Sequence, residues 1–209
     1  MAKADHTIDP RILQSAKGEF LAHGFEKASL KTICENAEVT TGALYKRYSG
    51  KEALFAAVVE PTLADMQEVL RQKSKVEPAE LSDEALIRAW DMDEDYMMWW
   101  FKFLFERRDG FELLLACSDG TTYANFQHDW VEQMAVMTYA YYAEGHRRGL
   151  MTENLTHPEL HVLLSAFWTT IYEPFIHHYS WAQIETHNVI VCRLFNWYKA
   201  LGIDCAALP

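Results

Sequence analysis

Apolar residues recur along this chain at helical spacing from end to end, and strict strand-like alternation hardly occurs. Ile12, Leu13, Ala16 and Phe20 mark one face of a first helix, opened by Asp9 and Pro10 and stopped by Gly24. Ser29 caps a short second helix carrying Leu30, Ile33 and Ala37. A break over 38–41 leads to a short third helix through Leu44, Tyr45 and Tyr48. Ser49-Gly50-Lys51-Glu52 has the form of a capping box and opens a long fourth helix over 51–75.

Residues 76–81 read as a linker. A fifth helix is expected from Ser82 to about Glu106, a sixth over 111–117 and a seventh over 123–148, closed by Gly149. Thr156-His157-Pro158-Glu159 and Ser180-Trp181-Ala182-Gln183 are capping boxes for an eighth and a ninth helix, the last ending near Gly202. Pro174 should kink the eighth, because proline removes a backbone donor. The expected fold class is all-α with about nine helices. A small N-terminal three-helix domain, 1–50, precedes a larger helical domain, 51–209, joined through the long helix.

Charge sharpens that division. The net charge is −11, yet residues 1–60 hold 8 basic and 8 acidic residues, while 61–209 hold 11 and 22. Phosphate would repel the acidic body, so any nucleic-acid contact belongs to the neutral front end, where Lys46, Arg47 and Lys51 cluster. Two short helices across a tight turn suit a helix-turn-helix. Thr40, Thr41, Gly42 and Ala43 are small enough for close approach to a duplex, and the two threonine hydroxyls can bond phosphate or base edges. Leu44 and Tyr48 would face the core, and Tyr45, Lys46 and Arg47 would face outward. Lys51, at the start of the fourth helix, offers charge to a phosphate.

The run from Leu30 through Val39-Thr40-Thr41-Gly42-Ala43-Leu44-Tyr45-Lys46-Arg47-Tyr48-Ser49-Gly50-Lys51-Glu52-Ala53-Leu54-Phe55 resembles the signature of the tetracycline-repressor (TetR) family. Upstream, Phe20, Gly24, Phe25 and Ser29 resemble that family's F-x-x-x-G-[FY]-x-x-[ST] stretch, so the likeness covers roughly 10–58. Ala43 departs from it, standing where threonine is common and removing one phosphate bond. The resemblance implies a ligand-responsive repressor that binds a palindromic double-stranded operator as a homodimer. It places Tyr45 and Lys51 at phosphate-contacting positions. Thr40, Thr41, Gly42 and Arg47 fall on the base-reading surface, with Ser29 and Lys46 completing the DNA-binding set.

The resemblance also implies that the last two helices pair with those of a second subunit. Leu164, Phe167, Trp168, Ile171 and Phe175 form a broad apolar face on one, and Val191, Leu194, Phe195 and Tyr198 on the other. These stripes serve the chain's own core as well as a partner. Twenty aromatic residues fall between Trp90 and Trp181. Trp90, Met97, Trp100, Phe101, Phe126, Trp130, Met134, Tyr141 and Trp168 are candidates to line a pocket for a small, largely apolar or aromatic effector. Along the fifth helix the position bridging Trp90 and Met97 falls on Asp93 or Glu94. Either a carboxylate aims inward there and needs a partner, or the helix breaks at 91–95 and these acids are solvated.

Other chemistry is thinly represented. Glu173 and His177 make a single i,i+4 pair without further metal ligands, and no metal or other cofactor is expected. The chain lacks a Walker loop, G-x-S-x-G, H-E-x-x-H, G-x-G-x-x-G and Glu-x-x-His, which argues against an enzyme. Cys34, Cys117, Cys192 and Cys205 lie far apart and read as free thiols. The first residues form no signal-length apolar run, and Lys102 interrupts the most apolar segment, so a cytoplasmic protein without a membrane partner is expected. The alternative reading is a helical small-molecule-binding or interaction protein without operator-specific DNA binding.

Overall fold

The helical periodicity becomes eleven α-helices and one 3-10 turn, with no strand, among the residues described (8–204) in a computed structural model of the chain. They group into two compact units. One comprises 8–67 with 107–126, the other 68–106 with 127–204. The division thus falls inside the long fourth helix and not at residue 50.

The first unit holds α1 (Ile8–Lys27), α2 (Leu30–Asn36), α3 (Thr41–Tyr45), most of α4 (Lys51–Lys73) and α7 (Arg108–Ala116). Asp9 lies within the first turn of α1, not before it. Gly24 takes φ 70 and ψ 167, a left-handed conformation that interrupts α1 where the sequence placed its stop. Ile12, Ala16 and Phe20 of α1 are buried together with Ile33, Leu44, Leu54, Phe55, Phe111 and Leu114. Phe55 meets Phe20 and Phe25 edge-on, with ring centroids 5.1 and 5.5 Å apart. Gly110 of α7 lies so close to α4 that an added Cβ would sit 2.0 Å from the Thr62 hydroxyl oxygen. Lys17 pairs with Asp109 at 2.7 Å, and Arg107 with Asp65 at 2.7 Å.

The second unit contains α5 (Asp83–Arg88), α6 (Glu94–Phe105), nearly all of α8 (Phe126–Arg147), α9 (His157–Ile176), α10 (Trp181–Leu194) and α11 (Trp197–Ala200). Two helices expected to be continuous are each divided, which is why eleven replace nine. The first break follows Arg88. Asp93 adopts an extended conformation and accepts the Tyr96 N–H at 2.7 Å, capping α6. The second break falls at Phe195–Asn196, where Asn196 caps α11 by accepting the Lys199 N–H at 2.9 Å. The capping boxes at Thr156–Glu159 and Ser180–Gln183 form as the spacing predicts.

Pro174 lies in the last turn of α9, which runs on to Ile176. The Thr170 carbonyl, which residue 174 would have bonded, is met by His187 Nε2 from α10 at 2.7 Å. Arg148 fastens the 78–83 stretch by donating to the Leu81 and Ala79 carbonyls at 2.7 and 2.9 Å. No helix among the described residues is long and apolar enough to cross a membrane.

Candidate nucleic-acid interface

Ser29 opens α2 by accepting the Thr32 N–H at 3.3 Å, and its own N–H donates to Glu19 at 2.9 Å. Both its backbone donor and its hydroxyl acceptor therefore have partners within the fold. The turn into α3 passes through Glu38, a non-glycine residue at φ 54. Thr40 then caps α3, its hydroxyl oxygen accepting the Ala43 N–H at 3.1 Å. Leu44 is buried and anchors this single turn to the core. Around it Thr40, Thr41, Gly42, Tyr45 and Lys46 are all exposed, with Tyr45 53% accessible. A Cβ at Gly42 would meet nothing nearer than the Thr40 hydroxyl at 3.9 Å. The fold does not require glycine there, so its bareness matters only to something approaching from outside.

The two remaining basic residues of the expected set are held within the chain. Arg47 pairs through Nε with Asp9 of α1 and donates through Nη1 to the Ala43 carbonyl at 3.3 Å. Neighbouring Tyr48 has its phenol pKa raised by burial first and by Asp9 second, with Arg47 opposing. Lys51 donates to the Glu26 and Ala28 carbonyls at 2.9 and 3.2 Å and lies 4.8 Å from the centre of the Phe25 ring. It therefore serves the carbonyl-rich end of α1. Glu52 accepts the Thr122 N–H at 3.1 Å. Sequence reasoning missed Asp9, Arg11 and Glu38 as neighbours of this surface, Arg11 pairing with Glu38 at 3.4 Å. The signal available was opposite charge alone, since these partners are 38 and 27 residues apart.

Residues 12–58 match the sequence model of the bacterial regulatory proteins of the tetR family. Over that segment, less than a quarter of its length, the chain is similar to the tetR family. The transcriptional regulator UidR of Escherichia coli K12 is 41% identical over 49 residues, 23% of this chain and 25% of that protein. The repressor AcnR of Corynebacterium diphtheriae is 35% identical over 66 residues, 32% of this chain and 35% of that protein. The chain thus spans only about a quarter to a third of the length of these relatives, which are transcriptional regulators and not enzymes. Over most of the chain the fold resembles solved structures. SmeT in a complex with triclosan superposes with a TM-score of 0.60 at 17% identity, over 90% of each chain. SCO3833, a TetR-family regulator of Streptomyces coelicolor A3, does so with a TM-score of 0.55 at 17% identity, over 93% of this chain and 91% of that one.

The residues expected to line an effector pocket part company. Trp90, Met97, Trp100, Phe101, Trp130 and Trp168 are buried in the second unit, and Phe126 is buried in the first. Trp168 packs against Trp100 and Trp130, with ring centroids 6.4 and 5.7 Å apart. Met134 and Tyr141 are half-buried, and burial first, then Glu77, raises the Tyr141 phenol. Asp93 and Glu94 are exposed at the start of α6. The helix breaks just before them, so the inward-facing carboxylate is corrected to a solvated one. One cavity of about 560 Å³ lies in the first unit beside Arg11, Gln14, Glu19 and Glu38. Another, of about 270 Å³, lies in the second beside Leu163, Leu194, Phe195 and Trp197. Neither involves the expected set.

The residues expected at a dimer face divide between buried and open. Leu164, Phe167, Trp168, Ile171, Phe175 and Val191 are buried within the single chain and have little surface left for a partner. Phe195 and Tyr198 are half-buried, and Leu194 is exposed. The apolar surface that these helices leave open is Val162, Leu163, Ile190 and Leu194. Of the cysteines, Cys34 and Cys117 are buried and free, and burial raises the Cys117 thiol. Cys192 is free and half-buried, and burial, with Glu94 and Asp93, pushes its thiol up to about 11. Cys205 lies outside the described residues.

Proposed function

We propose that this chain is a transcription repressor that binds a palindromic DNA operator as a homodimer and is released by a small, largely apolar or aromatic ligand. The observation that carries the reading is the bare, exposed face of α3. Thr40, Thr41, Gly42, Tyr45 and Lys46 stand on a one-turn helix anchored by Leu44, in a segment matching the tetR family. A half-exposed tyrosine ring and a glycine that the fold does not need are both accounted for by a duplex lying against them. One such turn reads too few base pairs, so two copies about 34–36 Å apart are required. Val162, Leu163, Ile190 and Leu194 supply apolar surface for that pairing.

Support for the effector lies in the second unit. The Trp90 indole N–H is buried without an acceptor among the described residues, a donor that a bound ligand would satisfy. Lys73, at the end of α4, bonds the Tyr96 hydroxyl and lies 4.7 Å from the centre of that ring. The helix that starts with Lys51 in the first unit thus ends against α6 aromatics in the second. An effector altering that packing would shift the population competent for DNA.

The test is fluorescence anisotropy with a duplex taken from DNA flanking the chain's own gene, against a scrambled duplex. Preference for the first, in a dimer by sedimentation, supports the reading, and native mass spectrometry of the purified dimer would identify a retained ligand. The engagement of Arg47 and Lys51 within the chain favours a second reading, a helical ligand-binding protein without operator specificity. Equal affinity for both duplexes would decide for it.

A further inference from the structure

An arginine beside a recognition helix is well suited to bind DNA. Its fixed fork suits both phosphate oxygens and the guanine edge. Arg47 follows α3 directly, yet its side chain is only 21% accessible and its Nε is paired with Asp9. Asp9 stands in the first turn of α1, where unsatisfied backbone donors favour a carboxylate. The Ala43 carbonyl of α3 takes a second donor from the same guanidinium. Tyr48 senses both charges, which places the pair beside a part-buried phenol and not in open solvent. Two residues along α1, Arg11 pairs with Glu38 in the turn before α3. One turn of α1 therefore presents a carboxylate and a guanidinium to their opposites on either side of the recognition helix.

We propose that Asp9 is a positioning residue for the DNA-reading face, holding the Arg47 guanidinium on α1 and off the duplex. The proposal rests on the DNA-binding reading above and refines it. Contact then falls to Thr40, Thr41, Gly42, Tyr45 and Lys46, whose hydroxyls and backbone discriminate bases while carrying little charge. Withholding Arg47 lowers the sequence-independent part of binding, which is electrostatic and common to all DNA, and leaves the reading of sequence in place. The pair thereby widens the gap between operator and random duplex.

The test measures affinity by anisotropy against sodium chloride concentration. The probes are a short scrambled duplex and a duplex from DNA flanking the gene, and the proteins are the unmutated chain, Asp9→Asn, Asp9→Glu, Arg47→Ala and Asp9→Asn/Arg47→Ala. Asp9→Asn should steepen the salt slope by about 0.9 per subunit and raise affinity for the scrambled duplex by at least about threefold. Arg47→Ala should leave the slope unchanged, and Asp9→Glu should behave like the unmutated chain. The double variant must match Arg47→Ala. A gain that persists in it would come from removing the Asp9 charge alone and would overturn the proposal. A slope that flattens in Arg47→Ala alone would also overturn it, by placing Arg47 on phosphate already, and this arm stands even if Asp9→Asn fails to fold. If the unmutated chain prefers the flanking duplex while Asp9→Asn changes nothing, the positioning role fails and the DNA-binding reading survives. If the unmutated chain binds neither duplex at low salt, the function itself is overturned, and the proposal with it.

Discussion

The two units of this molecule both tie helices with charge and with rings, but in different proportion. In the first, charge reaches from one element to another: Lys17 to Asp109, Arg47 to Asp9, Arg107 to Asp65, and Lys51 to the carbonyls of Glu26 and Ala28. In the second, some ion pairs stay within a single helix, as Glu144 does with Arg147 or Glu84 with Arg88, while Arg148 reaches from the end of α8 to Asp83. Large rings tie elements together there, with Trp168 packed on Trp100 and Trp130, and Phe167 on Phe195. Short helices such as α3 present too little apolar surface to be oriented by burial alone. Long-range pairs supply the missing constraint, and in doing so occupy cations that a reading of composition would assign to DNA.

The contrast breaks most visibly where rings are removed. Trp130→Ala should cost about 3–5 kcal/mol in urea unfolding, because a buried ring packed on Trp168 leaves a void the neighbours cannot close. A loss below about 1 kcal/mol would mean that the aromatic body is loosely packed. Next comes Gly110→Ala, for which about 1–3 kcal/mol is expected, since the new methyl would meet Thr62 at 2.0 Å. Adding Thr62→Ala should return much of that loss, and a purely additive double variant would count against the clash.

Lys51→Met is smaller and sharpens the comparison directly. Removing its two carbonyl bonds should lower stability by about 1 kcal/mol. Should the ammonium also touch phosphate, the salt slope of duplex binding falls by about 0.9 per subunit as well. Stability loss with an unchanged slope assigns Lys51 wholly to the fold. The least effect belongs to the intrahelical pairs. Hydrogen bonds from Arg147 and Arg148 hold Glu144 at about 2, below its ordinary 4.5. A depressed carboxylate stabilises the fold above its unfolded pKa, and that contribution fades as pH falls from about 4.5 to 2. Glu144→Gln should therefore change thermal stability at neutral pH slightly and at pH 2 still less. An equal shift at both would contradict the pairing.

Local signals carried well from sequence to structure. The caps at Ser29, Ser82, Thr156 and Ser180 each depend on residues within three positions, and all four form. The acidic run at 91–95 offered two outcomes, and the one with a broken helix and solvated acids occurs, with Asp93 as the cap. Less was legible where a stripe is wide. Apolar spacing on α9 and α10 identifies a face but not which neighbour buries it, so Leu164, Phe167 and Val191 could serve the core or a partner by spacing alone, and within the single chain they are buried while Leu163 stays open. The Arg47–Asp9 pair was beyond reach for another reason. Thirty-eight residues separate the partners, and no periodicity connects them.

One hydrogen bond carries a message about a proton's address. Because Pro174 has no N–H, the Thr170 carbonyl turns to His187, and a carbonyl only accepts. The ring nitrogen facing it must therefore be the protonated one, which selects the Nε2–H tautomer of that imidazole. A proline on one helix thus dictates which nitrogen of a histidine, on the next helix, carries the hydrogen.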